Sequence, residues 1–274
     1  MRKNKVLLVF VLVCIHLSFS SCKKEENSEF TDLPIIEGYL TPDSYFQVSI
    51  SRQIPFINDA TYSNDDISNL TIYLDYNGST HVLTALGDGN YVDSTIIVKE
   101  ADQYKLSFEF NSKSVSATTY TPSSPTGFTQ SVTTIAVPRL ENNGGIPSGG
   151  MPTEPDPVEL HWNNSDNSYY LVVVENTESV LDPIRDFGDE TPPGNIFRKS
   201  PTKSSDEILK SFDFQYFGMH RIILFHVLPD YASLYDDNSS SSQNLSNPST
   251  SIVNGYGIFT GMNSDTLYIN VTEQ

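Results

Sequence analysis

From Leu33 onward, apolar side chains recur at every second residue, a spacing that gives a strand one dry and one wet face and does not fit a helix. Phe46, Val48 and Ile50 alternate with Tyr45, Gln47, Ser49 and Ser51, and Leu70, Ile72, Leu74 and Tyr76 alternate with Thr71, Tyr73 and Asp75. Tyr104, Leu106, Phe108 and Phe110 repeat the pattern, and Val115, Ala117 and Thr119 carry it on. Asn77-Gly78, Gly87-Asp88-Gly89-Asn90 and Asn111-Ser112-Lys113 separate these runs. Asn, Asp and Gly tolerate the positive φ of tight hairpin turns. Alanine occurs only six times while Tyr and Phe number 15 each, so a strong helix former is scarce and strand-favouring aromatics are plentiful. The expected fold class is all-β.

The first alternating series ends at Tyr120, where Pro122 and Pro125 cannot continue a central strand. This predicts one β-sandwich over residues 33–122 and a second over 123–274. In the second half, Val158, Leu160 and Trp162 alternate with Glu159, His161 and Asn163, and a turn leads to a near-continuous apolar strand at 169–175. Another buried strand is expected at 219–228, a short helix with Pro229 in its first turn, and closing strands near 257–259 and 266–271. Long loops are expected at 140–157, 182–206 and 236–250. The Leu160-x-Trp162, turn, Tyr169-Tyr170-x-Val layout resembles immunoglobulin or fibronectin-type sandwiches. The prediction is two such domains, with at most one or two short helices, both in the second.

Arg2, Lys3 and Lys5 precede an apolar run at 6–17, which is too short to cross a ~30 Å hydrocarbon core as a helix. This is the pattern of a secretory leader. The run closes on Ser18-Phe19-Ser20-Ser21-Cys22, which resembles a bacterial lipobox with Phe19 where leucine is usual. Residues 1–21 are therefore expected to be removed and Cys22 to carry the lipid. Two or three acyl chains would hold the protein on a membrane, each buried methylene being worth ~0.8 kcal/mol. Cleavage would also remove Cys14 and leave Cys22 as the sole cysteine, which excludes an internal disulfide, a cysteine nucleophile and a thiolate metal site. Residues 22–32 read as an acidic tether. Lys23-Lys24-Glu25-Glu26 looks like the signals that send Bacteroidota lipoproteins to the outer face of the outer membrane.

The formal net charge of −18 argues against a nucleic-acid partner, whose phosphates need a basic surface. His81, His161, His220 and His226 have no metal-ligand spacing, and no Gly-x-Ser-x-Gly, His-Glu-x-x-His or phosphate-loop motif occurs. Asp65-Asp66, Asp236-Asp237 and Asp186/Asp189/Glu190 lack the spacing of a calcium loop and read as solvated acidic surface. No cofactor and no enzymatic activity are expected. Asp93-Ser94-Thr95 and Asp265-Thr266-Leu267 look like Asp-Ser/Thr-apolar O-glycosylation sites, with Ser94 and Thr266 as acceptors. Tyr45, Phe56, Tyr62 and Tyr235 could stack on a sugar if loops expose them.

Several segments in order carry a wider resemblance. They are Cys22 with its tether, Ile36-Glu37-Gly38-Tyr39-Leu40 leading to Val48-Ser49-Ile50-Ser51-Arg52, and Gly87-Asp88-Gly89-Asn90-Tyr91 followed by Tyr104-Lys105-Leu106 and the exit at Pro122. Tyr169-Tyr170, Asp230-Tyr231, Asn247-Pro248 and the run from Asn254 to Phe259 complete the set. The mature chain resembles a family of uncharacterised Bacteroidota outer-membrane lipoproteins, often encoded beside TonB-dependent receptors. The resemblance implies a lipid-anchored, surface-exposed, non-enzymatic module that acts as an accessory or binding protein, with a TonB-dependent barrel as partner. The alternative is direct capture of a glycan or peptide through aromatic and acidic loops such as 53–66 or 182–203.

Overall fold

The first and last of the described strands lie side by side, and the rest is arranged around that pairing. A computed structural model describes residues 32–54, 65–140, 154–188, 190–235 and 251–274. Strands β1 (Pro34–Leu40) and β2 (Tyr45–Arg52) open the chain as an antiparallel pair. A single helical turn, α1 (Asp65–Ser68), leads to β3 (Tyr73–Tyr76) and β4 (Ser79–Val82). These are joined by Asn77 and Gly78 at φ 49° and 77°, the doubly left-handed turn whose twist matches a hairpin. Next come β5 (Thr84–Gly87), β6 (Asn90–Ile97), β7 (Gln103–Phe110) and β8 (Lys113–Tyr120). Two more two-residue turns, Asp88-Gly89 and Asn111-Ser112, also have both residues at positive φ.

The second half contributes β9 (Thr129–Gln130), β10 (Thr134–Val137), β11 (Val158–His161) and β12 (Tyr169–Asn176). After these come β13 (Asp182–Pro183), β14 (Ile196–Arg198), β15 (Asp206–Leu209) and the long β16 (Tyr216–Val227). Helix α2 (Pro229–Ser233), with proline at its first turn, and the 18-residue β17 (Tyr256–Glu273) close the chain. The large sheet runs β14-β12-β16-β17-β1-β2-β6-β5, with β10 on β17 and β13 on β16. Sheets of four strands (β4-β3-β7-β8) and three strands (β15-β11-β9) accompany it.

The fold is all-β and sandwich-like, with the two short helices placed differently from expectation, since α1 falls in the first half. The segment 182–206 is not one loop: it contains β13 and β14 and meets the start of β15. The closing strands expected near 257–259 and 266–271 are one continuous strand, because residues 263–265 pair in register with β16 despite their turn-like polarity. Residues 141–153 and 236–250, within two other expected loops, lie outside the described residues.

Asp32–Gln274 forms one compact unit with two main cores. In the first, Ile36, Phe46 and Phe259 of the large sheet meet Leu74, Tyr104 and Leu106 of the four-stranded sheet. Tyr104 stacks between Phe46 (5.8 Å) and Tyr76 (4.9 Å), contacts worth about 0.5–1.5 kcal/mol each beyond area burial. In the second core, Val172, Ile222 and Ile269 meet Val158, Leu160 and Leu209 of the three-stranded sheet. Phe259, Ile269 and Val271 all sit at odd positions of β17, so both small sheets cover the same, inner face of the large one. On the outer face, among the described residues, lies α2, fastened by Thr260 Oγ1 donating to Asp230 Oδ1 at 2.9 Å.

Gly261 sits where β17 passes beneath the end of β8. A Cβ there would come 2.1 Å from the Tyr120 carbonyl oxygen and 2.7 Å from Thr121 Cα, both backbone atoms that cannot rotate away. Gly261→Ala is expected to lower unfolding stability by about 1–3 kcal/mol, with a lowered midpoint in urea denaturation as the check.

Candidate functional site

Because strands present alternate residues to opposite faces, β12 and β16, apolar on both, leave an apolar surface pointing away from the cores. Leu171 and Val173 of β12 lie beside Ile223 and Val227 of β16, forming a cluster separate from the two cores, with Phe225, Tyr231 and Met262 packed around it. Together they floor a groove of about 240 Å³ whose walls include Ile196 and Arg198 of β14 and the Glu175–Arg221 pair. Arg221 Nε donates to Glu175 Oε2 at 2.6 Å. Around this groove Ile196, Met219 and Tyr268 are exposed, Tyr268 by 59%. Tyr268 lies opposite Arg221 across β16 and β17. Large apolar side chains clustered on one sheet face, with charges at their edge, mark an interaction surface more often than a catalytic one. Toward the other half of the sheet the face changes character at Tyr231, which meets Tyr39 of β1 edge-on at 6.2 Å and Tyr235 at 6.0 Å. Burial and the neighbouring Tyr235 hydroxyl push the Tyr231 phenol up to about 12, so it stays protonated at ordinary pH.

The histidines do not converge. His81 Nδ1 lies 3.3 Å from Asp93 Oδ2, but the adjacent hydroxyl, Thr95 Oγ1, donates to Asp93 rather than to the imidazole. No nucleophile–base contact is built there. Burial opposes ionisation of Asp93, yet hydrogen bonds from Thr95 and the nearby His81 outweigh it and hold the carboxyl below its usual range. His161 is exposed beside Glu159, at 3.9 Å. His220 and His226 project from the same face of β16, as their spacing predicts, and are separately engaged. His226 Nδ1 donates to the Ser123 carbonyl at 2.8 Å and its ring stacks on Tyr170. His220 Nδ1 donates to the Gly218 carbonyl at 3.0 Å, and Asn176 Nδ2 lies 3.3 Å from its Nε2. Accepting a hydrogen bond at Nε2 requires the neutral imidazole.

Of the acidic candidates, Asp66 pairs with Arg52 at 2.7 Å and Asp186 accepts from the Gly188 amide. Asp189, Asp236 and Asp237 lie outside the described residues. Among the described residues no group of three His, Cys, Asp or Glu side chains could hold a metal ion, and no helix is long and apolar enough to cross a membrane. Ser94 is exposed on β6, next to the buried Asp93. Thr266 is half-buried, pairs with Ile223 and thus borders the apolar groove. Cys22, Phe56 and Tyr62 lie outside the described residues, while Tyr45 is exposed at the start of β2. The outer groove went unrecognised in the sequence as a site, although the two-faced apolar runs of β12 and β16 carry its signal. The chain matches no family model and no curated protein.

Burial holds the His220 imidazole below the ordinary histidine range. The unfolded chain therefore takes up this proton first as pH falls. The contribution is complete above about pH 6.5 and is lost on acidification at up to about 1.4 kcal/mol per pH unit. His220→Gln should flatten the stability profile between about pH 5 and 6.5 relative to the parent chain, as measured by urea midpoints at each pH.

Proposed function

We propose that the chain is a non-enzymatic lipoprotein anchored in the outer membrane through acyl chains on Cys22, exposed at the cell surface, and acting as an accessory module to a TonB-dependent barrel. The observation that carries this reading is the outer face of β14-β12-β16-β17, where exposed Ile196, Met219 and Tyr268 surround an apolar groove edged by Arg198, Arg221 and Glu175. A protein partner covering that face would remove apolar area from water at about 25 cal/mol per Å². Arg198 and Arg221 at its margin would set orientation and partner choice more than affinity. The lipobox-like Ser20-Ser21-Cys22, the acidic tether and the family resemblance support the location. The non-catalytic reading rests on the lack of catalytic motifs in the sequence and on the separate engagement of its histidines.

Replacing Tyr268 with a photo-crosslinking amino acid in the intact lipoprotein and irradiating native outer membranes should give a discrete adduct with a barrel protein. Met219→Lys combined with Ile196→Glu should reduce that adduct at least tenfold while leaving the melting temperature within a few degrees, both positions being exposed. Recovery of no barrel adduct would overturn the partner assignment. Separately, metabolic labelling with palmitate should mark the parent chain and not Cys22→Ser, and an unlabelled parent chain would remove the anchor.

A further inference from the structure

We propose that the other half of the outer sheet face, over β1, β2, β5 and β6, is a binding site for a neutral saccharide, independent of the partner surface described above. Here β1 and β2 alternate, and Glu37, Gln47, Ser49 and Asn90 stand outward as a polar row beside the apolar Tyr39 and Leu86. Glu37 of β1 pairs in register with Ser49 of β2, and Ser49 with Asn90 of β6. A carboxylate, a hydroxyl and a carboxamide thus stand in one line across three strands, about 5 Å apart, a spacing on the scale of a single sugar ring. With Gln47 they line a depression of about 270 Å³, walled by Tyr39 on β1 and Leu86 on β5.

Three features select the ligand class. Tyr39 is 39% exposed and its ring is held edge-on by Tyr231, so an apolar platform is preorganised beside the polar row. An aromatic face next to hydrogen-bonding groups suits a ligand that has both a C–H face and hydroxyls. Among the described residues, no hydrogen bond engages the side chains of Glu37, Gln47 or Ser49, while Asn90 Nδ2 is turned toward the Gly87 and Asp88 carbonyls, leaving Oδ1 as an acceptor. The groups facing the depression can therefore accept from and donate to hydroxyls without first breaking internal bonds. Finally, among the described residues Glu37 is the one charged side chain in the lining, with no lysine or arginine beside it. An anionic ligand would meet repulsion with no compensating cation. A peptide adding as a strand would pair with an open sheet edge, which on this half is the outer side of β5 and not the face that the depression occupies.

The test is titration calorimetry on the full-length lipoprotein purified in a sugar-free zwitterionic detergent. The probes are neutral gluco-, manno-, xylo- and galacto-oligosaccharides of three to six units, with a sulfated oligosaccharide and an acidic peptide as comparators. At least one neutral oligosaccharide should bind with a Kd below ~1 mM, and Tyr39→Ala and Glu37→Ala should each weaken it tenfold or more. Gln47→Ala provides a second polar probe at an exposed position should Tyr39→Ala disturb α2. Tyr120→Ala, an exposed aromatic on the four-stranded sheet, should leave binding unchanged. Absence of binding to every neutral probe, binding confined to the comparators, or binding insensitive to both Glu37→Ala and Gln47→Ala would overturn the proposal. The purified chain contains no barrel, so these outcomes are independent of the partner reading.

Discussion

The pairing of β17 with β1 is the constraint on which the architecture depends. Eighteen residues of one strand give a ladder of roughly 60 Å, long enough to serve two cores in succession. Its first third pairs in parallel with β1, its middle and end run antiparallel to β16, and its last residues also pair in parallel with β10. A parallel partnership between the first and last described strands closes a loop of more than two hundred residues. Non-local pairing of this kind carries a large loop-closure entropy and slow folding. Gly261 lies at the crossing where this strand leaves one core for the other. Thr119 Oγ1 accepts from its amide, and Asn263 donates to the Pro122 carbonyl just beyond. The junction between the halves is thus held by backbone-directed hydrogen bonds rather than by apolar packing alone.

A second consequence concerns the outside of the sheet. Both small sheets lie on the inner face, so among the described residues only α2 rests on the outer one, and the chemistry of that face is written directly by strand sequence. β12 and β16 are apolar on both sides and give a dry groove. β1 and β2 alternate and give a polar depression. The Tyr39–Tyr231–Tyr235 cluster stands between them. One sheet thereby offers two neighbouring surfaces of opposite character, one apolar and one polar.

Much of the local structure was legible in the residues. The Asn77-Gly78 turn, the alternation of β2 and β7, the two-faced burial of β12 and the proline-led α2 all follow from short-range rules of φ preference and side-chain direction. The continuity of β17 was not legible, because Asn263, Ser264 and Asp265 break the apolar alternation and are held in a strand by their pairing with β16. Strands β13 and β14 were hidden for a related reason: two or three residues contain too little periodicity to be recognised without the partner that pairs with them. The candidate sites were missed in one respect. Loop positions such as Phe56 and Tyr62 are where sequence places exposed aromatics, while Tyr39 and Tyr268 project from strand faces, a placement set by which side of the sheet the small sheets cover.

By itself the sequence determined the all-β class, the turn positions, the absence of a helical alternative and the chemical character of each strand face, since these depend on residue type and a period of two. Only the tertiary structure decided that the two ends of the described chain share a sheet, that one strand spans both cores, and that both small sheets lie on the same face of the large one. Those outcomes arise from pairings between residues far apart in the chain, such as Ile35 with Tyr256 and Thr134 with Asn270, for which no local pattern carries a signal.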